Sequence, residues 1–476
     1  MSNVKKIATL SIGQGINILV NFLFLPYMAR ALDYGSYGSY GQTILIVTLF
    51  SAGLSAGLSQ IIFVYLNNNS KTDTLSNNIL AGFFLGILGV ILLVIISPFI
   101  SKWLGNPVLE YLIYVYSFSL VFIIPNQSFN SFLIFSNKVK KSMWLILITN
   151  LFKIGLVVIS IQLFQSVYYA LLGIVISQFI LFIINIIIVK DSLILVFNFK
   201  LIFEQIKKGF PLGLTALVGT LILYTDGIMI SKMCGVDVYA VYRNGAIEVP
   251  FISSLYGAIA AIILPEIAKL FSQGKFKEIA KLKKKVIMNT MMITYPVLLF
   301  LLFNSEEIIL IYLGDKYQNS AIIFQIFNLT LLMRVNDYHD IMISANQTKK
   351  IFVYYLLVFL VNFLLNFLFI GYFGALGAAI STVISLFLFA LLLFRSTLKI
   401  IKMRIQDFID FKSLFYLLAV TVPLAFILEY FLSFILNIEL KLFLFSVIFF
   451  PFVYYILLTK KFISREIVPN KLKKFL

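Results

Sequence analysis

Fourteen apolar stretches, each long enough to cross a hydrocarbon layer of about 30 Å as a helix, alternate with short polar segments along the chain. They fall near 8–30, 39–66, 77–100, 111–135, 143–163, 167–189, 209–231, 239–268, 286–304, 319–344, 351–371, 375–396, 413–436 and 441–459. The pattern predicts an all-α polytopic membrane protein of about fourteen spans. The longest segments left outside the spans are 190–208, 269–285, 397–412 and the tail from 460, none able to bury a core of its own.

The pattern is also doubled. PYMARALDYGSYGSYGQ at 26–42 recurs in altered form as IMISKMCGVDVYAVYRN at 228–244, a shift of 202 that puts Arg30 on Lys232, Tyr37 on Tyr239 and Tyr40 on Tyr242. FLIFSNKVKK at 132–141 lies over DIMISANQTKK at 340–350 with a shift of 209, which puts Asn137 on Asn346 and Leu104-Gly105 on Leu313-Gly314. Several weak matches in one order at nearly one offset are the mark of a transporter built from repeats. Six spans separate matching points, an even number, so the copies run the same way through the membrane. The expected organisation is a lobe over 1–189, a linker over 190–208, a second lobe over 209–397, two further spans over 398–459 and a basic tail over 460–476. In such proteins substrate moves through the cleft between lobes, opened to each side in turn.

Composition agrees with a chain that lives in a bilayer: 61% of the 476 residues are hydrophobic and only 12% charged, with a mean hydropathy of +1.01. The net charge of +18 is mostly a topology signal. With both termini in the cytoplasm, 30 of the 38 Lys and Arg fall on the inner side. Six fall outside (Arg30, Lys102, Lys232, Arg243, Lys316 and Lys441), and Lys153 and Arg334 lie within spans. The excess also suits anionic lipid headgroups, and nucleic acid is a poor reading of it. Met1–Lys6 and the stretch after it resemble a signal peptide, but Gln14, Asn17 and Asn21 interrupt a segment too long for a signal core, so a retained first span is expected. The single cysteine, Cys234, and single histidine, His339, exclude an intramolecular disulfide and a zinc constellation. No GxxxxGK[ST] or GxGxxG pattern points to a nucleotide.

Polar residues within the apolar stretches are the candidate site, because a charge facing lipid costs at least about 2.5 to 3.5 kcal/mol. Gln14, Asn17 and Asn21 share one face of the first span, which ends at Arg30. Asn126, Gln127 and Asn130 follow Pro125, and Lys153 sits near mid-membrane. Asp226, Arg243 and Glu248 fall toward the outer half, and Arg334, Asp337, His339 and Asp340 toward the inner half. Packing readings stand beside the functional ones. Arg30, Lys232 and Arg243 are near span ends where they could snorkel, the amide face could hydrogen-bond between helices, and Arg334 with Asp337 could neutralise each other. Lys153, with no charged neighbour on its own span, is the hardest to explain by packing. Basic groups at several depths suit an anion such as a phosphate. Buried carboxylates suit proton exchange or a bound sodium ion, with no other cofactor.

The opening GQGINILVNFLFLPYMARALDYGSYGSYGQ, with YTDGIMISKMCGVDVYAVYRNG at 224–245, IYLGDKYQNSA at 311–321 and YFGALGAAISTVIS at 372–385, resembles bacterial polysaccharide transporters. These are the O-antigen and capsule-unit flippases of the multidrug/oligosaccharidyl-lipid/polysaccharide exporter superfamily. The resemblance covers the whole chain and is weak for the cargo. It implies a monomeric, multi-pass protein of the bacterial inner membrane, not an enzyme. Such a protein moves an undecaprenyl-diphosphate-linked oligosaccharide to the outer leaflet by ion-coupled alternating access, beside membrane lipids and other polysaccharide-assembly proteins. On that reading Arg30, Lys153, Lys232 and Arg334 contact the headgroup, with Gln14, Asn17, Asn21, Asn126 and Asn130 lining its path. Asp226, Glu248, Asp337 and Asp340 are coupling groups or charge partners. A lipid II flippase shares these features, as does a drug/cation antiporter with a more acidic cleft. A membrane polymerase or glycosyltransferase would need larger outer loops.

Overall fold

The computed structural model describes residues 3–55, 57–68, 71–194, 197–336 and 339–459. The expected basic tail over 460–476 lies outside the described residues. The described chain is helical throughout: α1 Asn3–Ala31, α2 Tyr34–Leu54, α3 Leu58–Asn68, α4 Lys71–Leu104, α5 Val108–Ser117, α6 Leu120–Phe135, α7 Val139–Phe164, α8 Val167–Val189, α9 Phe199–Cys234, α10 Val236–Gly245, α11 Pro250–Ser272, α12 Phe276–Phe303, α13 Ser305–Leu313, α14 Ser320–Asn328, α15 Asp340–Ser344, α16 Thr348–Phe373, α17 Ala375–Ile401, α18 Phe411–Leu432 and α19 Ile438–Thr459. Among the described residues nine helices are long and apolar enough to span a bilayer, and the bent pair α5–α6 makes a tenth. Their outward faces carry bare apolar side chains such as Phe99, Leu163 and Phe415, as lipid contact requires.

Four of the expected spans are broken. The stretch 39–66 divides into α2 and α3, 111–135 into α5 and α6, 239–268 into α10 and α11, and 319–344 into α14, a 3-10 turn at Leu329–Leu332, and α15. Hydropathy registers only that a segment is apolar, not whether its backbone is continuous. At the 42° bend between α5 and α6, the Ser117 and Ser119 hydroxyls donate to the Tyr114 and Tyr116 carbonyls at 2.9 and 2.6 Å, satisfying backbone in a region without water. Gly86 of α4 makes room there, since a Cβ would meet Val121 Cα at 2.7 Å. The break at residues 246–249 ends with Val249 extended, as expected before a proline, and α11 begins at Pro250.

The doubling is written into the helix ends. Asn137 and Asn346, paired by the 209 shift, are both left-handed, with φ of 61° and 57°. The Lys138 N–H reaches the Leu133 carbonyl at 2.8 Å and the Gln347 N–H reaches that of Met342 at 2.9 Å, the same cap with asparagine where glycine is usual. Gly105 and Gly314 share only a positive φ, 70° and 89°, as do Gln165 and Gly374, φ 47° and 57°, since ψ differs between the last two, 35° against −135°. Asn346→Val should lower stability by about 1 to 2 kcal/mol, the cost of a left-handed turn for a residue with a branched Cβ. Asn346→Gly should not, and thermal unfolding in detergent distinguishes them.

The chain forms two compact units, 1–240 and 241–476. The first is centred on Phe129, Phe132 and Phe182 with Ile62 and Leu75. Its helix α9 begins within the stretch 190–208 that was expected to be linker. Asn198 accepts the Leu201 N–H at 3.0 Å and starts the helix, and buried Gln205 accepts from Asn78 Nδ2 of α4 at 2.8 Å, which fastens the new turn to the unit. In the second unit, α18 and α19 share a core with α12 through Leu417, Ala425, Phe445 and Phe449. Lys441 of α19 also donates to Glu307 and Glu429 at 2.5 and 2.7 Å, so these two helices are firmly held.

Candidate functional site

The charged residues in the spans differ in what compensates them. In the first unit, α1 packs along α7, and Lys153 Nζ donates to Asn21 Oδ1 at 3.2 Å. Asn21 in turn donates to the Asn17 carbonyl at 2.7 Å. Two features read separately from the sequence, the amide face of the first span and the deep lysine, therefore form one site. No carboxylate pairs with Lys153 among the described residues. The Gln14 side chain lies outside what the structure describes.

The other first-unit cations sit at helix ends. Lys232 is exposed and donates to the Trp103 carbonyl at 2.7 Å, with Nζ 5.7 Å from that ring's centroid. It thereby completes the last turn of α4, where the helix dipole favours a cation. Arg30 is exposed at the end of α1, and Asp226 is buried within α9. Asn126 and Asn130 belong to an amide network across three helices. Asn126 Nδ2 donates to the Gln178 carbonyl at 3.1 Å and to its Oε1 at 3.3 Å, Asn185 Nδ2 donates to Asn126 Oδ1 at 3.1 Å, and Ser142 donates to Asn130 Oδ1. Gln178 and Asn185, seven apart on one face of α8, went unread in the sequence, where each is an isolated amide in an apolar run.

In the second unit a cavity of about 380 Å³ opens where the broken segments come together, lined by Tyr256, Thr290, Thr330, Arg334, Asn336 and His339 among apolar side chains. The Arg334 guanidinium grips Glu248 with both nitrogens, Nη1 to Oε2 at 2.6 Å. These two residues were expected at different depths, and the packing alternative for Arg334 was a pair with Asp337. Asp337 lies outside the described residues. Both Arg334 and Glu248 fall in breaks between helices, where the chain can reach a common level. His339 stacks on Tyr355, ring centroids 5.9 Å apart, and its Nε2 lies 3.3 Å from that hydroxyl.

Asp340 has a different environment. It is buried and bound at 2.5 Å by Lys283 of α12, both side chains 2% exposed. In the sequence Lys283 is hidden in the basic run 275–285. The signal was its spacing, since Ile279, Ala280, Lys283 and Ile287 mark the buried stripe of α12. Arg334 and Glu248 are 36% and 26% exposed, so they remain within reach of a ligand where Lys283 and Asp340 do not.

The chain resembles known proteins over most of its length. Residues 3–271 match the profile of a family described as "Polysaccharide biosynthesis protein". A Shigella flexneri protein named "Putative O-antigen transporter" is 24% identical over 350 residues, 70% of this chain and 81% of that protein. Among solved structures, a lipid II flippase MurJ in an inward closed conformation matches with a TM-score of 0.72 at 20% identity, covering 94% of this chain and 99% of the other. An inward-facing multidrug resistance transporter of the MATE family in the MOP superfamily matches at 0.64 and 15% identity, covering 83% and 98%.

Proposed function

Since the chain belongs to the polysaccharide biosynthesis protein family and has the fold of flippases and exporters rather than of an enzyme, we propose that it is a flippase for a lipid-linked oligosaccharide. The cargo in this reading is a polyprenyl-diphosphate-linked repeat unit, carried from the inner to the outer leaflet of the bacterial plasma membrane by ion-coupled alternating access. The observation that carries it is Lys153, an ammonium within a membrane span whose one hydrogen-bond partner among the described residues is a neutral amide. A cation left in that state is matched by an anionic ligand such as a diphosphate.

Arg334 supplies a second anchor and a route to coupling. A diphosphate oxygen entering the second-unit cavity competes with Glu248 for the guanidinium. Displaced from the guanidinium, the Glu248 carboxylate is the group that exchanges the coupling cation in this reading. Release of the cargo reverses the exchange. Asp226, buried within α9 of the first unit, is proposed for the same role. Asp340, already neutralised by Lys283, is not.

The test is leaflet transfer of a polyprenyl-diphosphate oligosaccharide in proteoliposomes under imposed proton or sodium gradients. The wild-type protein should accelerate transfer, and Arg334→Ala should slow it by about tenfold or more, the scale of one charge-assisted hydrogen bond. The unfolding midpoint should hardly move, because a half-exposed pair contributes about 0 to 1 kcal/mol. No transfer by the wild type under either gradient would overturn the reading. The fold match to a lipid II flippase makes lipid II the second cargo, and preferential movement of lipid II would decide for it.

A further inference from the structure

Besides its charged groups the protein holds a pocket with none. In the first unit α6, α7 and α8 enclose a cavity of about 280 Å³ whose polar lining is Asn126, Gln127, Asn130, Ser142, Gln178 and Asn185, the rest being leucine and isoleucine. Part of this lining is bonded internally, through Asn126 to Gln178, Asn185 to Asn126 and Ser142 to Asn130. A network that served only to join the helices would end there. The Gln127 side chain, however, makes no hydrogen bond among the described residues, and neither does Asn130 Nδ2 or Gln178 Nε2. Three amide groups from two helices thus face one cavity with hydrogen-bonding capacity unspent.

We propose that this cavity is a subsite for an uncharged sugar ring of the cargo, separate from the groups that hold the diphosphate. It rests on the flippase reading above. Carboxamides offer donors and acceptors side by side, which is what the hydroxyls of a pyranose need. A phosphate or carboxylate would enter without a counter-charge, and an isoprenoid tail would leave the amides unpaired, so both are disfavoured. The volume is on the scale of the smaller ligand pockets and suits one ring rather than a chain of several. Ser142 near the start of α7 and Asn185 near the end of α8 put the cavity at the end of the unit that the basic loops assign to the cytoplasm. A sugar attached to a lipid of the inner leaflet is presented at that end.

The experiment compares two probes in proteoliposomes, a polyprenyl diphosphate bearing a neutral disaccharide and the same lipid without sugar. The variant is Gln127→Leu, which removes an amide that has no bond to lose, so the fold is expected to persist and a melting curve checks it. Transfer of the sugar-bearing probe should fall about fivefold, the scale of one neutral hydrogen bond, while the bare lipid moves at the wild-type rate. Equal loss for both probes, or no loss for either, overturns the subsite. A wild-type protein that moves neither probe overturns the flippase reading, and the subsite with it.

Discussion

Lys153→Met protein should reach the membrane in wild-type amount or slightly more, yet transfer the lipid-linked sugar about ten to a hundred times more slowly. Both halves of this expectation follow from one contact. An ammonium in a span costs at least about 2.5 to 3.5 kcal/mol to insert, and its one acceptor among the described residues, Asn21 Oδ1 at 3.2 Å, is neutral and offsets only part of it. Methionine has nearly the same length without the charge, so removing the charge should help insertion. If Lys153 existed only to pack α1 against α7, transport would survive the exchange. A charge-assisted hydrogen bond to cargo is worth about 1.5 to 3 kcal/mol, which sets the loss of rate. Lys153→Arg should keep part of the activity, since it keeps the charge but replaces a point cation with a planar fork. Full transport by Lys153→Met at matched protein level would remove Lys153 from the site.

The sequence made the scaffold readable because membrane helices and repeats leave coarse, redundant signals. Ten apolar stretches appear as single helices, α9 and α12 starting about ten residues early at Phe199 and Phe276, and the offset between Asn137 and Asn346 appears as the same left-handed cap in both halves. Backbone breaks left no comparable trace. The bend after Ser117 uses serine hydroxyls within an apolar run, and the gap before Pro250 falls among Arg243, Asn244 and Glu248, which read as charges and amides of a span rather than as a break. The partners of the charged residues were illegible for that reason, as Glu248 and Arg334 meet only once two broken segments are given their true path. Gln178 and Asn185 needed knowledge of which face of α8 looks toward α6.

Superposing the halves by the 209 shift separates what they share from what they do not. Lys153 corresponds to Asn362, which is buried and accepts from Asn366 at 3.0 Å, so the second unit has an amide pair where the first has an ammonium. Arg334 corresponds to Pro125 beside the amide cavity. Caps and turns recur because any helix pair must end somewhere, whereas each anchor belongs to one unit. A carrier whose cargo has an anionic end and a neutral end needs that asymmetry.

Burial, which the more exposed Arg334–Glu248 pair lacks, assigns the Lys283–Asp340 pair to the scaffold, with the largest effect on stability expected in the protein. Its counterparts in the first unit are Thr74 and Ser131, both buried and uncharged, so the same place in the repeat is filled once by hydroxyl groups and once by an ion pair. With each side chain only 2% exposed, replacing one partner strands the other in a site without water. Lys283→Met or Asp340→Leu alone should each cost about 3 to 5 kcal/mol, seen as a lowered unfolding midpoint in detergent and reduced protein in the membrane. The double variant should recover most of that loss, since replacing both members of a buried pair by apolar groups is often neutral or better. It should also keep gradient-dependent transport, because a carboxylate tied to a buried lysine has no proton or sodium ion to exchange. A stable double variant that transports but no longer responds to the gradient would return Asp340 to the coupling groups beside Glu248 and Asp226.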